Sequence, residues 1–199
     1  MADLLMTFVK NPALGKAKTR LAQTVGDEKA LEIYLQLLKY TQNTIRDLPV
    51  TKQIHYSDFA DSQDFWENEI FQKTTQIAGG LGEKMLHAFS SAFSEGFDSV
   101  LIVGSDCPEL TQEILQEAFD KLKTHDVVFG PAEDGGYYLL GMNQLVPELF
   151  QNKQWSTDSV LPSSVADCQK LGLTHALLPQ LSDIDYEEDW LRFKDRLEV

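Results

Sequence analysis

Residues 99–110, SVLIVGSDCPEL, decide how the rest of the chain is read. Ser99 to Val103 is an unbroken apolar run, the pattern of a central parallel strand covered on both faces. It stops at Gly104-Ser105-Asp106, which puts a carboxylate at the end of a buried strand. Such a group needs a hydrogen-bond partner or a cation. Just upstream, Gly82 to Glu95 is apolar at helical spacing and halts at Gly96, a residue suited to a helix C-cap. Just downstream, Thr111 can cap a helix that carries Glu113 in its first turn and runs to about Thr124. Asp126 to Gly130 (DVVFG) is then a second buried strand.

The same alternation extends to both ends. Leu4 to Lys10 is a strand and Asp27 to Leu48 an amphipathic helix. Lys52 to Ser57 and a weaker Thr74 to Ala78 are strands, and Tyr137 to Met142 follows a Gly-Gly turn. Ser159 to Leu171 reads as a helix, His175 to Leu178 as an edge strand, and Tyr186 to Leu197 as a charged closing helix. This order predicts an α/β fold: one domain over residues 1–199, in three layers, α/β/α, around a mainly parallel, doubly wound sheet. Ligands of such sheets bind beyond the carboxyl ends of the strands. The chemistry is therefore expected in the segments after Lys10, Val103, Gly130 and Met142.

Composition narrows the partners. The 199 residues carry 31 acids against 17 Lys and Arg, a net charge of −14. That disfavours nucleic acid, whose backbone rewards clustered cations. It leaves room for a small phosphorylated ligand met by a local basic patch. No run approaches the roughly 18 apolar residues of a membrane span. The start of the chain lacks a signal-peptide pattern, and the two cysteines match no metal spacing. A cytoplasmic setting follows as the expectation, and a homodimer is compatible with the chain.

Four segments carry candidate chemistry. Lys10-Asn-Pro-Ala-Leu-Gly15-Lys16-Ala-Lys18-Thr-Arg20 concentrates four basic residues after the first strand, with no acid between Leu4 and Gly26. A phosphate there would meet cations and backbone N–H groups; a solvated basic loop is the alternative. Asp106 suits Mg²⁺, which takes one or two carboxylates together with substrate phosphates, or it caps a turn. Glu133-Asp134-Gly135-Gly136 joins two strands and either offers acceptors to substrate hydroxyls or is an ordinary hairpin turn. Asp183 and Asp185 are two apart, so in extended chain they share a side and could add ligands opposite Asp106; acids at a helix start are the alternative. Trp155 lines a pocket or fills the core. Cys107 reads as a buried thiol.

Taken in order, FVKNPALGKAKTRL, QIAGGLGEKM, GSDCPEL, GPAEDGGYYLLG, WST and DIDYEEDW resemble the bacterial DUF2064 family of transferases, from about Leu4 to Trp190. The resemblance implies the nucleotide-diphospho-sugar transferase fold, of the GT-A type. Similarity to 2-phospholactate guanylyltransferase and molybdenum cofactor guanylyltransferase is more distant. It further implies a metal site at Asp106, Asp185 and Asp183 for Mg²⁺ or Mn²⁺. Nucleotide phosphates would meet Lys10, Gly15, Lys16, Lys18 and Arg20, with Lys18, Arg20 and Asp106 catalytic. Glu133, Asp134, Gly135, Gly136 and Trp155 would bind the acceptor substrate. The expected activity is metal-dependent transfer from a nucleotide-sugar or nucleoside triphosphate donor to a small-molecule acceptor, as a glycosyltransferase or nucleotidyltransferase. A non-catalytic nucleotide-binding domain is the rival. Two departures stand out: the first loop lacks the Gly-rich signature of sugar-nucleotide pyrophosphorylases, and the motif at Asp106 is S-D-C-P in place of D-x-D.

Overall fold

The structure is a computed structural model that describes residues 2–197. Its seven strands are β1 (Asp3–Val9), β2 (Thr51–Tyr56), β3 (Gln72–Thr75), β4 (Ser99–Val103), β5 (Val127–Pro131), β6 (Tyr137–Met142) and β7 (His175–Leu177). They form one sheet in the order β3-β2-β1-β4-β6-β5-β7, so the apolar strand Ser99–Val103 lies at its centre. β4 is buried at every position, as a strand covered on both faces must be.

Strand alternation sorts the core into two halves. Leu5, Leu101 and Val103 face one side, against Tyr34, Leu38 and Ile45 of α2 (Asp27–Arg46) and Leu115 and Phe119 of α4 (Gln112–Leu122). Leu4, Met6, Val100 and Ile102 face the other, against Met85 and Phe89 of α3 (Leu81–Ser94) and Cys168 of α5 (Val160–Leu171). Each fully buried Leu, Ile or Phe contributes about 1.5–3 kcal/mol of transfer free energy. The three-layer arrangement is thus the one that buries both strand faces. A third cluster lies outside it, where Leu21 of α1 (Thr19–Val25), Ile33 and Leu37 of α2, and Phe193 and Leu197 of α6 (Glu187–Leu197) pack together.

The Thr111 cap forms as the sequence suggests, its hydroxyl accepting from the Ile114 N–H. Three features differ from the expectations. α1 is a seven-residue helix with one buried residue, too short to show a period. β3 begins two residues earlier than expected and leaves Gln76 to Gly80 as the link into α3. β6 runs antiparallel to both β4 and β5. The last difference corrects one placement: the segment after Met142 leaves the sheet at the opposite edge from the segments after Lys10 and Val103. There Asn143 bonds the carbonyls of Leu122 and His125. The turn before Tyr137, at residues 132–136, takes its place at the carboxyl edge.

Candidate active site

The first loop is fastened to the β4 end by a side chain from α2. The Tyr34 hydroxyl accepts from the Lys10 N–H at 2.8 Å and donates to the Lys10 carbonyl at 3.1 Å. It also lies 3.5 Å from Ser105 Oγ. The loop then turns into α1 through Lys18, whose φ of 47° and ψ of 50° are left-handed. That conformation is uncommon outside glycine and places the Lys18 side chain over the β4 end.

There it meets the acids. Lys18 Nζ lies 3.0 Å from Asp106 Oδ2 and 3.3 Å from Asp185 Oδ1, with the lysine side chain only 7% exposed. Arg20 Nη1 lies 2.8 Å from Asp185 Oδ2. Carboxylate oxygens of Asp106, Asp183 and Asp185 come within 4.8 Å of one another. Two backbone features bring them together. The Ile184 N–H donates to the Asp106 carbonyl at 3.0 Å, tying the two acidic segments. Gly104 has no side chain, and a Cβ there would stand 2.8 Å from Asp106 Oδ1. Asp189 then caps the start of α6, accepting from the N–H groups of Asp185 and Tyr186.

The charges answer one another. Burial would lower the Lys18 pKa, but Asp106 and Asp185 outweigh it and hold the ammonium above its usual value. Burial pushes the Asp106 carboxyl up, and the Lys18 ammonium more than reverses this. Asp183 has no such partner among the described residues: burial, then Asp106 and Asp185, push it up to about 6. Burial pushes the neighbouring Cys107 thiol up to about 12, the behaviour of a structural cysteine.

These groups form one end of a cleft of about 650 Å³ at the carboxyl edge of the sheet. Lys10, Lys18, Arg20, Asp106, Asp183 and Asp185 all line it, as do Asp134, Gly136 and Trp155. Asp134 Oδ1 also accepts from the Gly136 N–H at 2.8 Å, which shapes the turn. Gly135, with φ 87°, lies where a Cβ would come 2.4 Å from Asp158 Cα, so the turn packs directly on the segment carrying Trp155. Gly15, Lys16 and Glu133 are exposed and stand outside the cleft lining. Glu133 is turned to Arg192 at 3.4 Å.

Several lining residues carried no assignment from the sequence. Tyr34 sits at a helical core spacing and reads as packing. Gln76 and Lys84 lie within QIAGGLGEKM, a stretch that carries the family resemblance but in which no residue is singled out. Tyr137 also lines the cleft. Its phenol oxygen is buried and has no hydrogen-bond partner among the described residues.

Comparison with known proteins agrees with this architecture. Residues 40–157 match the DUF2064 family, described as an uncharacterized protein conserved in bacteria. A crystal structure from Desulfovibrio desulfuricans G20, provisionally named as a nucleotide-diphospho-sugar transferase, is 30% identical; the match covers 98% of this chain and 88% of that one, at a TM-score of 0.87. The 4-diphosphocytidyl-2C-methyl-D-erythritol synthase of Anaerococcus prevotii DSM 20548 is 10% identical over 100% of this chain and 96% of that one, at 0.62. The inositol-1-phosphate CTP transferase of T. maritima is 12% identical over 99% and 96%, at 0.57. The last two are alike in fold alone. The family match over more than half of the chain, with the 30% identical structure over nearly all of it, shows that this chain belongs to the DUF2064 family and has the nucleotide-diphospho-sugar transferase fold.

Proposed function

We propose that this chain is a divalent-metal-dependent transferase that uses a nucleotide donor, acting as a nucleotidyltransferase on a phosphorylated small molecule. The observation that carries this reading is the meeting of Lys18 and Arg20 with Asp106, Asp183 and Asp185 at one end of the cleft. The three carboxylates make an all-oxygen donor set of the kind that Mg²⁺ and Mn²⁺ prefer. An ion held there would neutralise charge developing on the donor phosphates.

The chain's own residues do the rest. Lys18 and Arg20 hold phosphate oxygens and stabilise the charge that builds on the leaving group. Lys10 extends the basic wall. The acceptor meets Asp134, Gly136 and Trp155, which line the same cleft as the acidic cluster, and attacks in line with the donor's α-phosphorus. An acceptor phosphate oxygen forms the new P–O bond, the bond to the β-phosphate breaks, and pyrophosphate leaves. A glycosyl version is favoured by the aromatic wall of Tyr137 and Trp155, which suits a sugar ring. In it an acceptor hydroxyl attacks the sugar carbon and a nucleoside diphosphate leaves. Either version implies a cytoplasmic setting, where nucleotides and Mg²⁺ are plentiful.

The test is thermal unfolding against nucleoside triphosphates and nucleotide-sugars, each with and without Mg²⁺ or Mn²⁺. Ligand at about 100 times its dissociation constant adds roughly 2.7 kcal/mol, a readily seen shift. A metal-dependent shift with triphosphates, followed by pyrophosphate release, supports nucleotidyl transfer. A shift with nucleotide-sugars alone moves the reading to glycosyl transfer. Binding that survives Asp106→Ala with no turnover in either chain supports the non-catalytic rival. No shift with any nucleotide refutes the reading.

A further inference from the structure

Asp106 and Asp185 are asked to hold a divalent ion, yet each already holds a cation of the chain itself. Lys18 Nζ stands 3.0 Å and 3.3 Å from one oxygen of each. A Mg²⁺ ion sits about 2.0–2.1 Å from its ligand oxygens. An ion shared by these two carboxylates would therefore fall close to the place of the ammonium, where the two positive charges repel. Asp183 contributes an oxygen to the same cluster but makes no ion pair among the described residues, so it favours whichever cation is present.

The position of Lys18 is not a chance of a loose side chain. Its left-handed backbone is disfavoured for a residue with a Cβ, and its carbonyl is already committed to the Ala22 N–H at 2.9 Å. Its stem is buried, so the ammonium has a short arc between the carboxylates and the open cleft. Arg20 holds the other oxygen of Asp185 and steadies that carboxylate when Lys18 leaves.

Resting on the reading above, we propose that Lys18, before it meets the donor phosphates, competes with the metal ion for Asp106 and Asp185. It yields when donor phosphates accept its ammonium, so ion and donor phosphates enter the site together. The same side chain thereby guards against an ion bound without its donor.

The test measures Mn²⁺ binding without nucleotide, from the resonance of free Mn²⁺, in wild type, Lys18→Gln and Lys18→Arg, with Asp106→Asn as the site control and thermal midpoints as the folding control. Lys18→Gln should bind Mn²⁺ about tenfold or more tightly than wild type, while Lys18→Arg, which keeps the charge, should stay near wild type. A lysine with a merely structural role would weaken binding when replaced. Equal or weaker binding in folded Lys18→Gln, with binding abolished in Asp106→Asn, overturns this proposal and leaves the metal site standing. Absence of Mn²⁺ binding in every chain overturns the metal site as well. If Lys18→Gln does not fold, the wild type decides. Its Lys18 Nζ signal in ¹⁵N-lysine NMR should lose its slow exchange when Mg²⁺ saturates the site, and a signal unchanged at saturation overturns the proposal.

Discussion

Asp183→Asn should make the chelator-treated protein more stable at pH 8 than the wild type. The Asp183 carboxyl is pushed from its ordinary value of 3.8 up to about 6, first by burial and then by Asp106 and Asp185. A group whose folded pKa is raised contributes stability below its unfolded value and loses it as pH rises through its folded value. For Asp183 that loss falls between about pH 4 and pH 6. At 1.36 kcal/mol for each pKa unit, the upper bound is about 3 kcal/mol. The side chain is partly exposed, and screening reduces this to about 1–2 kcal/mol. The assay is urea unfolding at intervals from pH 4.5 to pH 8. Wild type alone would not isolate the effect, because His55 opposes it. Burial, then His87, lowers His55 from 6.5 to about 4, so its contribution is lost as pH falls through that window. The difference between variant and wild type removes His55 and should grow from about a third of its full value at pH 4.5 to that full value by pH 7. A difference that is flat with pH, or a variant less stable than wild type at pH 8, refutes the electrostatic account of the acidic cluster.

Three further outcomes follow from the same geometry. Gly104→Ala places a methyl 2.8 Å from Asp106 Oδ1 and should cut turnover at least tenfold, by displacing that carboxylate, with the circular dichroism spectrum retained; wild-type turnover would show that Asp106 needs no fixed place. Tyr137→Phe removes a buried oxygen that has no partner among the described residues, so urea unfolding should show a neutral change or a gain of up to about 1 kcal/mol; a loss above about 1 kcal/mol would mean the oxygen is paired. Cys107, pushed up to about 12 by burial, should resist iodoacetamide at pH 8 in the native protein and react quickly in urea; fast native labelling would contradict its burial.

How much of this was legible in the sequence depended on how each residue earns its place. β4 and its flanking helices were readable because apolar runs and helical spacing record burial directly. Asp183 and Asp185 were readable as a pair, since extended chain puts alternate residues on one side, and both reach the same point. The first loop was readable only as charge. Lys18 and Arg20 turn inward while Gly15 and Lys16 stay outside, and that division follows from the left-handed turn at Lys18, which no composition announces. Tyr34 was hidden because its ring does fill the core; only its hydroxyl reaches the first loop. The direction of β6 was hidden as well. A buried antiparallel strand has the same apolar run as a parallel one, so the segment after Met142 was assigned to the wrong edge.

Lys18 and Asp185 are separated by 167 positions in the chain, and no shorter segment contains both. Closing so long a loop costs chain entropy before its contacts repay it. On the ribosome, the sheet can be nearly complete while the acidic end of the cleft still lacks two of its three carboxylates. A partly made chain would therefore be folded before it is able to grip a nucleotide. In refolding from urea, recovery of ligand binding should trail recovery of the far-ultraviolet circular dichroism signal, which makes the cleft its own report that the chain has finished folding.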